Sequence, residues 1–383
     1  MEIDGTGMWL FPGLIDMHVH LREPGDEESE TVETGLRAAV AGGITTVGVM
    51  PNTDPPMDDV RSVRRLKELA ERADLARVIP VPSVTKGRAG KELVDFPALH
   101  DEGVSVFTDD GDPVRDPSLL LEAMKAAAEF DGVIMEHPET TELSGCSVNR
   151  GAISRKLELP GIPALAETLD VARCLEMAAG SGGRLHLTHL SLPRSIRLAR
   201  ADVFSAAHVT VDVTPHHIAL NETALLEQGC LAKMNPPLRG EEQRRELAEM
   251  VHAGLVNAVA SDHAPHCASK KAGSLTASSF GITGLETLLP VTLEVLQQLD
   301  MPVLDILRLL TAGPAGVLGV PEPSIREGSR ADLVLFDPEE VYTLRGAGTF
   351  SGSANTPFMG RELRGRVRGV WKEKLIYRDG YFV

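Results

Sequence analysis

Gly13-Leu14-Ile15-Asp16-Met17-His18-Val19-His20-Leu21-Arg22-Glu23-Pro24-Gly25 decides how the rest of the chain reads. An apolar run ends in two histidines, two positions apart. Along a strand, residues i and i+2 face the same side. Both imidazoles therefore reach one point just beyond the strand end, and neutral imidazole is a common zinc ligand. If a metal sits at that point, its other ligands belong at the ends of other strands.

Working outward, short β-branched runs alternate with amphipathic ones. Residues 44–50, 77–84, 104–107, 133–136, 185–190, 209–213 and 257–260 read as strands, and 59–72, 117–130, 164–179, 194–200 and 284–299 as helices. With the opening strand they make about eight β-then-α units, the repeat of a (β/α)8 TIM-type barrel, so the expected class is α/β. Near-continuous apolar strands fit burial on both faces. An open doubly wound sheet is the alternative and needs a strand-order reversal. The tail changes character: 331–336 reads as a strand, and 367–383 as a hairpin closed at Arg378-Asp379-Gly380. The expected division is a barrel over 10–320, with 1–9 and 321–383 forming a small β subdomain. Residues 264–279, with their Ser, Lys and Ala, read as a mobile loop.

The totals narrow the function. The 383 residues are 43% hydrophobic and 24% charged, enough for a sizeable core. A net charge of -17 argues against nucleic acid as a partner. No apolar run is long enough for a bilayer, so no membrane partner is expected, and Met1-Glu2-Ile3-Asp4 does not resemble an export signal. Cys146, Cys174, Cys230 and Cys267 form no CxxC pair and read as free thiols of a cytoplasmic protein.

Of 12 histidines, nine lie at or just past a proposed strand end: His18, His20, His137, His186, His189, His216, His217, His263 and His266. Asp109 and Asp110 follow one such end and Asp262 another. Barrel strand ends converge on the catalytic face, so these segments can hold one or two divalent ions. His186 and His189 face opposite ways on a strand; His189, nearer the mouth, is the ligand and His186 structural. His216 and His217 shape the rim. Only one of Asp109 and Asp110 can point inward, and the pattern leaves open which.

The opening stretch resembles the signature of the dihydroorotases, within the cyclic amidohydrolases. So do Met50-Pro51-Asn52-Thr53, Phe107-Thr108-Asp109-Asp110-Gly111, Asn235-Pro236-Pro237-Leu238-Arg239 and Ala260-Ser261-Asp262-His263-Ala264-Pro265-His266. Phe280-Gly281-Ile282-Thr283-Gly284-Leu285-Glu286-Thr287 and Asn355-Thr356-Pro357-Phe358 extend the match, which is specific to the long bacterial and archaeal form. The resemblance implies a metal-dependent barrel with a small β-sandwich-like subdomain, shortened at its N-terminus. It implies Zn2+, one or two ions per subunit, with His18, His20 and Asp262 around one and His137 and His189 around the other. Asp110 joins them, an aspartate standing where many relatives use a carboxylated lysine.

The reaction so implied is reversible interconversion of dihydroorotate and N-carbamoyl-aspartate in de novo pyrimidine biosynthesis. Metal-activated water attacks the ring carbonyl and Asp262 shuttles the proton. Arg22, Asn52 and His266 hold the substrate carboxylate, while His20, Asn235, Phe280 and Gly281 complete the substrate site. A homodimer and association with aspartate transcarbamoylase are the implied assemblies. Two departures stand out: the chain enters the barrel almost at once, and Pro138-Glu139 follows His137 where relatives carry Cys-Glu. The alternatives are another cyclic amidohydrolase, a hydantoinase or allantoinase, and a non-catalytic subunit that scaffolds aspartate transcarbamoylase.

Overall fold

The structure, a computed structural model, describes residues 4–383. Residues 1–3, which fall in the 1–9 segment and in the leader reading above, lie outside the described residues. The strands run β1 (Trp9–Pro12), β2 (Leu14–Val19), β3 (Ile44–Val49), β4 (Arg77–Pro80), β5 (Val106–Phe107), β6 (Val133–Glu136), β7 (Val148–Asn149), β8 (Gly161–Ile162), β9 (Arg184–Leu187), β10 (His208–Val213) and β11 (Ala258–Val259). β12 (Asp332–Thr343), β13 (Glu362–Lys372), β14 (Lys374–Arg378) and β15 (Tyr381–Phe382) follow.

Eight of these make the barrel. β2, β3 and β4 pair in parallel, as do β5, β6, β9, β10 and β11 in that spatial order. Two seams close the ring. Thr108 N donates to Pro82 O at 3.0 Å, and His20 N donates to His263 O at 2.9 Å beside a parallel Val19–His263 bridge. The open sheet is thereby excluded. Ile15, Met17, Val106, Val133, Met135 and Ala258 pack together as one interior cluster. The β2–β3 register shifts between Asp16 and Val19, and such a bulge re-aims the residues that follow it. Here those residues are His18 and His20. A Cβ at Gly48 would lie 2.5 Å from Met17 O, so only glycine lets the neighbouring strand approach at that point.

The helices predicted around 59–72, 117–130, 164–179, 194–200 and 284–299 appear as Val60–Ala73, Pro117–Ala128, Leu165–Ser181, Pro193–Ala199 and Leu288–Gln297. Val32–Ala41 and Glu241–His252 are further helices, not anticipated from sequence. The first is started by a reciprocal cap between Thr31 and Thr34. The 264–279 segment differs from the loop expected: it contains the helix Ala268–Lys271, and the Lys271 side chain is buried.

The tail forms a five-stranded antiparallel sheet, ordered β1-β12-β13-β14-β15, so the strand just before the barrel joins the C-terminal strands. Phe336, Val334, Val367 and Val370 bury its inner face in the same core as the barrel helices. Among the described residues no helix is long and apolar enough to cross a membrane.

Candidate functional site

Five strand ends deliver their side chains to one buried point. His18 Nε2 lies 3.2 Å from Asp110 Oδ1 and 3.6 Å from Asp262 Oδ1. His20 Nε2 lies 3.3 Å from Asp262 Oδ1 and 3.5 Å from Asp110 Oδ2. His189 Nε2 is 3.6 Å and His137 Nδ1 3.9 Å from Asp110 Oδ1, and these two nitrogens are 3.0 Å apart. Asp110 therefore touches all four histidines. Asp109 turns away: its carboxylate accepts from Val84 N at 2.9 Å, Thr85 N at 3.0 Å and the Thr85 hydroxyl. It is thus Asp110, and not Asp109, that faces the histidines.

The donor set fits a divalent cation. His18–Asp110–His189 and His18–His20–Asp262 each place three ligand atoms within 4.8 Å of one another. Among the described residues, buried His18 Nε2 and Asp110 Oδ1 make no hydrogen bond of normal geometry, though they face each other at 3.2 Å. Neutral imidazoles and carboxylates suit zinc in a catalytic setting. Burial alone would lower the pKa of His18, but the Asp110 and Asp262 carboxylates outweigh it and lift it to about 10. Burial likewise opposes, and Glu139 then dominates, a rise in His137 to about 9. Asp110 and Asp262 are held well below the ordinary carboxylate range, since the surrounding histidines overcome their burial. A third cluster, Glu136–Asp170–Cys174, lies behind β6, where Arg173 Nε already sits 2.6 Å from Asp170 Oδ1.

A second ring of contacts orients the first. Asn52 Oδ1 lies 2.6 Å from His20 Nδ1, which fixes the proton on Nδ1 and leaves Nε2 to face the carboxylates. Asp212 Oδ1 accepts from His189 N at 2.6 Å, and Asp212 Oδ2 sits 2.8 Å from His186 Nε2, so His186 buttresses the turn that carries His189. Asp16 Oδ1 ties His18 N to Ser261 N. Glu139 stands 3.4 Å from His137 Nε2 and accepts from Asn235 Nδ2 at 3.0 Å, while Asn235 Oδ1 is buried without a hydrogen-bond partner among the described residues. His217 is locked between Thr214 and Pro236 O. Asp212, Asp16 and Glu139 were not singled out from sequence. The one available signal was position: Asp16 stands two residues before His18, and Asp212 near the end of a strand.

On the rim, Arg22 Nε donates to Pro265 O at 3.2 Å, and its charge helps depress both His20 and His266. His266 Nε2 lies 2.7 Å from Phe280 O, and its buried Nδ1 has no hydrogen-bond partner among the described residues. Burial and Arg22 push this ring down to about 3, so it is neutral with its donor spent on Phe280. Gly281 N donates to Lys233 O at 3.1 Å.

With that geometry in view, the similarities to other proteins are decisive. A family described as Dihydro-orotase-like matches residues 7–195. The dihydroorotase of Anaplasma phagocytophilum (strain HZ) is 42% identical over 380 residues, covering 98% of this chain and 84% of that protein. The chain belongs to the dihydroorotase family. The dihydroorotases of Macrococcus caseolyticus (39% identical, 99% of this chain, 90% of theirs) and Aquifex aeolicus (37%, 98%, 89%) are similar over comparable lengths. Membership makes the chain an enzyme of cyclic-amide hydrolysis in the metal-dependent amidohydrolase superfamily. The same fold occurs in L-hydantoinase from Arthrobacter aurescens, with a TM-score of 0.87 at 22% identity over 100% of this chain and 88% of that one. D-hydantoinase from Thermus sp. superposes with a TM-score of 0.81 at 24% identity, over 100% and 87% of the two chains.

Proposed function

We propose that this member of the dihydroorotase family interconverts dihydroorotate and N-carbamoyl-aspartate in de novo pyrimidine biosynthesis, with Zn2+ at the barrel mouth. One observation carries the reading: four histidines and two aspartates from five strand ends converge beside the cationic Arg22. His18, His20 and Asp262 would hold one ion and His137 and His189 a second, joined by Asp110. Bound there, a divalent cation polarises the ring carbonyl and lowers the pKa of water from 15.7 to about 7.

The chain's own groups supply the rest. His20 and His18 keep Asp262 ionised, so it takes the proton released as water's oxygen bonds to the carbonyl carbon. When the ring C–N bond breaks, Asp262 returns that proton to the leaving nitrogen, and ring closure retraces the path. Arg22 meets the substrate carboxylate through paired N–H donors. Asn52 has its Oδ1 committed to His20 and offers Nδ2. His266 contributes once the incoming carboxylate stabilises a second proton on Nδ1. Ring N–H groups find acceptors in Asn235 Oδ1 and in the second lone pair of the Phe280 carbonyl, while the Gly281 carbonyl, already accepting from Lys271 and Asn355, holds the backbone beside it.

An uncharged ring, as in hydantoin, would give Arg22 no counter-charge, which favours dihydroorotate as substrate. The test is a panel of dihydroorotate, carbamoyl aspartate and hydantoin with purified protein. Turnover of the first two, with hydantoin at least tenfold slower, fits the reading. Preference for hydantoin, or no turnover at all, overturns it. We take 10–320 as the catalytic unit, with 1–9 and 321–383 as the small subdomain of a cytoplasmic homodimer. Sedimentation with and without aspartate transcarbamoylase checks both the dimer and that association.

A further inference from the structure

The peptide at Phe280-Gly281 is held by an unusual concentration of donors. The buried Lys271 ammonium donates to Lys233 O at 3.0 Å, Ser279 O at 2.9 Å and Gly281 O at 2.9 Å. Asn355, from the segment joining β12 to β13, converges on the same peptide. Its Nδ2 donates to Gly281 O and Ala264 O, both at 3.1 Å, and its Oδ1 accepts from His266 N at 2.9 Å. Lys233 Nζ sits 4.2 Å above the Phe280 ring and donates to Ser278 O. The acceptors of Lys271 therefore belong to two strips of chain: Lys233, two residues before Asn235, and the Ser279–Gly281 turn. Loss of the ammonium would take a charged donor from all three carbonyls, leaving Lys233 O to Gly281 N and Gly281 O to Asn355 Nδ2.

We propose that Lys271 is a positioning residue for substrate binding: its ammonium, together with the Gly281 N–H, pins the 233–235 strip to the 279–281 segment, so that Asn235 and the Phe280 carbonyl stand ready for the ring. This rests on the dihydroorotate reading above. Lys271 touches no reacting atom, so its loss acts on substrate affinity and leaves the chemical step alone. Pre-ordering of such a loop lowers the cost of binding.

The test compares wild type, Lys271→Met, Lys271→Gln and Lys271→Arg for KM and kcat on dihydroorotate, bound metal, and amide exchange across 233–235 and 264–283 without substrate. Lys271→Met is expected to raise KM roughly tenfold, the order set by losing charge-assisted donors to buried carbonyls, with kcat and metal content within about twofold. Exchange should quicken across 233–235 and 264–283 and nowhere else, and Lys271→Arg should recover most of the KM. If Lys271→Met does not fold, Lys271→Gln replaces it, and a KM between those of wild type and a fully loosened loop supports the proposal. Wild-type KM in Lys271→Met or Lys271→Gln, or a fall in kcat with KM unchanged, overturns this inference alone. A wild type that does not turn over dihydroorotate overturns the substrate reading and this inference with it.

Discussion

Arg22, His189 and Asp262 all adopt positive φ, at 56°, 37° and 46°. A residue other than glycine pays about 1–3 kcal/mol in such a region, and the strain persists only where neighbours hold it. The holders are visible: Asp212 grips His189 N, and Pro265 O receives the Arg22 guanidinium. The His18-x-His20 spacing was legible in the sequence because a strand end has one geometry. The choice of Asp110 over Asp109 was not, since it depends on hydrogen bonds from Val84 and Thr85, distant in the chain. Replacing Arg22 by Met should raise KM for dihydroorotate about 10- to 100-fold, the scale of a charge-assisted pair, with kcat within a few-fold. Steady-state kinetics check this, and saturation at wild-type concentrations would reassign the carboxylate contact. The raised His18 and His137 values carry a second prediction. Both rings hold protons at pH 7 in the cation-free protein, and a ligated nitrogen cannot. Metal affinity must therefore rise with pH through this range, with protons released on binding. Calorimetric titration in buffers of differing ionisation enthalpy measures that release, and binding without it would contradict the ligand assignment.

Among the elements, the strands were readable because burial on both faces leaves long apolar runs. The helices with alternating charged and apolar faces were readable too. Val32–Ala41 escaped notice because its Ala- and Val-rich sequence buries several sides, which blurs the helical period. The 264–279 segment misled for a different reason. Its small and polar residues suggest freedom, but its order comes from Lys271 and from Asn355, some eighty residues further on. Gly281 is the point where that order is tightest: its φ is +120°, and a Cβ there would lie 2.6 Å from the Ala264 Cβ. Gly281→Ala should cost about 1–3 kcal/mol of local order and loosen dihydroorotate binding severalfold. Protease sensitivity of the 264–282 segment reports the first effect, and cleavage at the wild-type rate would count against the strain described.

Across the whole molecule, the small sheet is more than an appendage. The stretch after β12 reaches into the barrel mouth, where Gly352 N donates to Glu30 at 2.8 Å, Ser353 Oγ to Ser29 O, and Asn355 binds His266 N. Glu286 lies beneath this stretch and accepts from Phe350 N. Burial, helped by Glu30 and opposed by the Phe350 and Ser351 amides, lifts its pKa from 4.5 to about 8. Between those values the folded chain keeps a proton that the unfolded chain gives up, so stability falls as pH rises through the window. Glu286→Gln removes that loss, on the order of a few kcal/mol at the upper end. Its melting temperature should match wild type near pH 5 and exceed it near pH 8, and parallel pH slopes would refute the assignment. The central claim, that side chains from five strand ends share a divalent cation on which turnover depends, has one direct test. Elemental analysis of the purified chain, paired with dihydroorotate turnover before and after chelation, should find at least one divalent ion per chain. Ion and activity should be lost together and regained together on adding Zn2+, with His18→Ala recovering neither. Full turnover by a protein free of divalent metal would contradict the account.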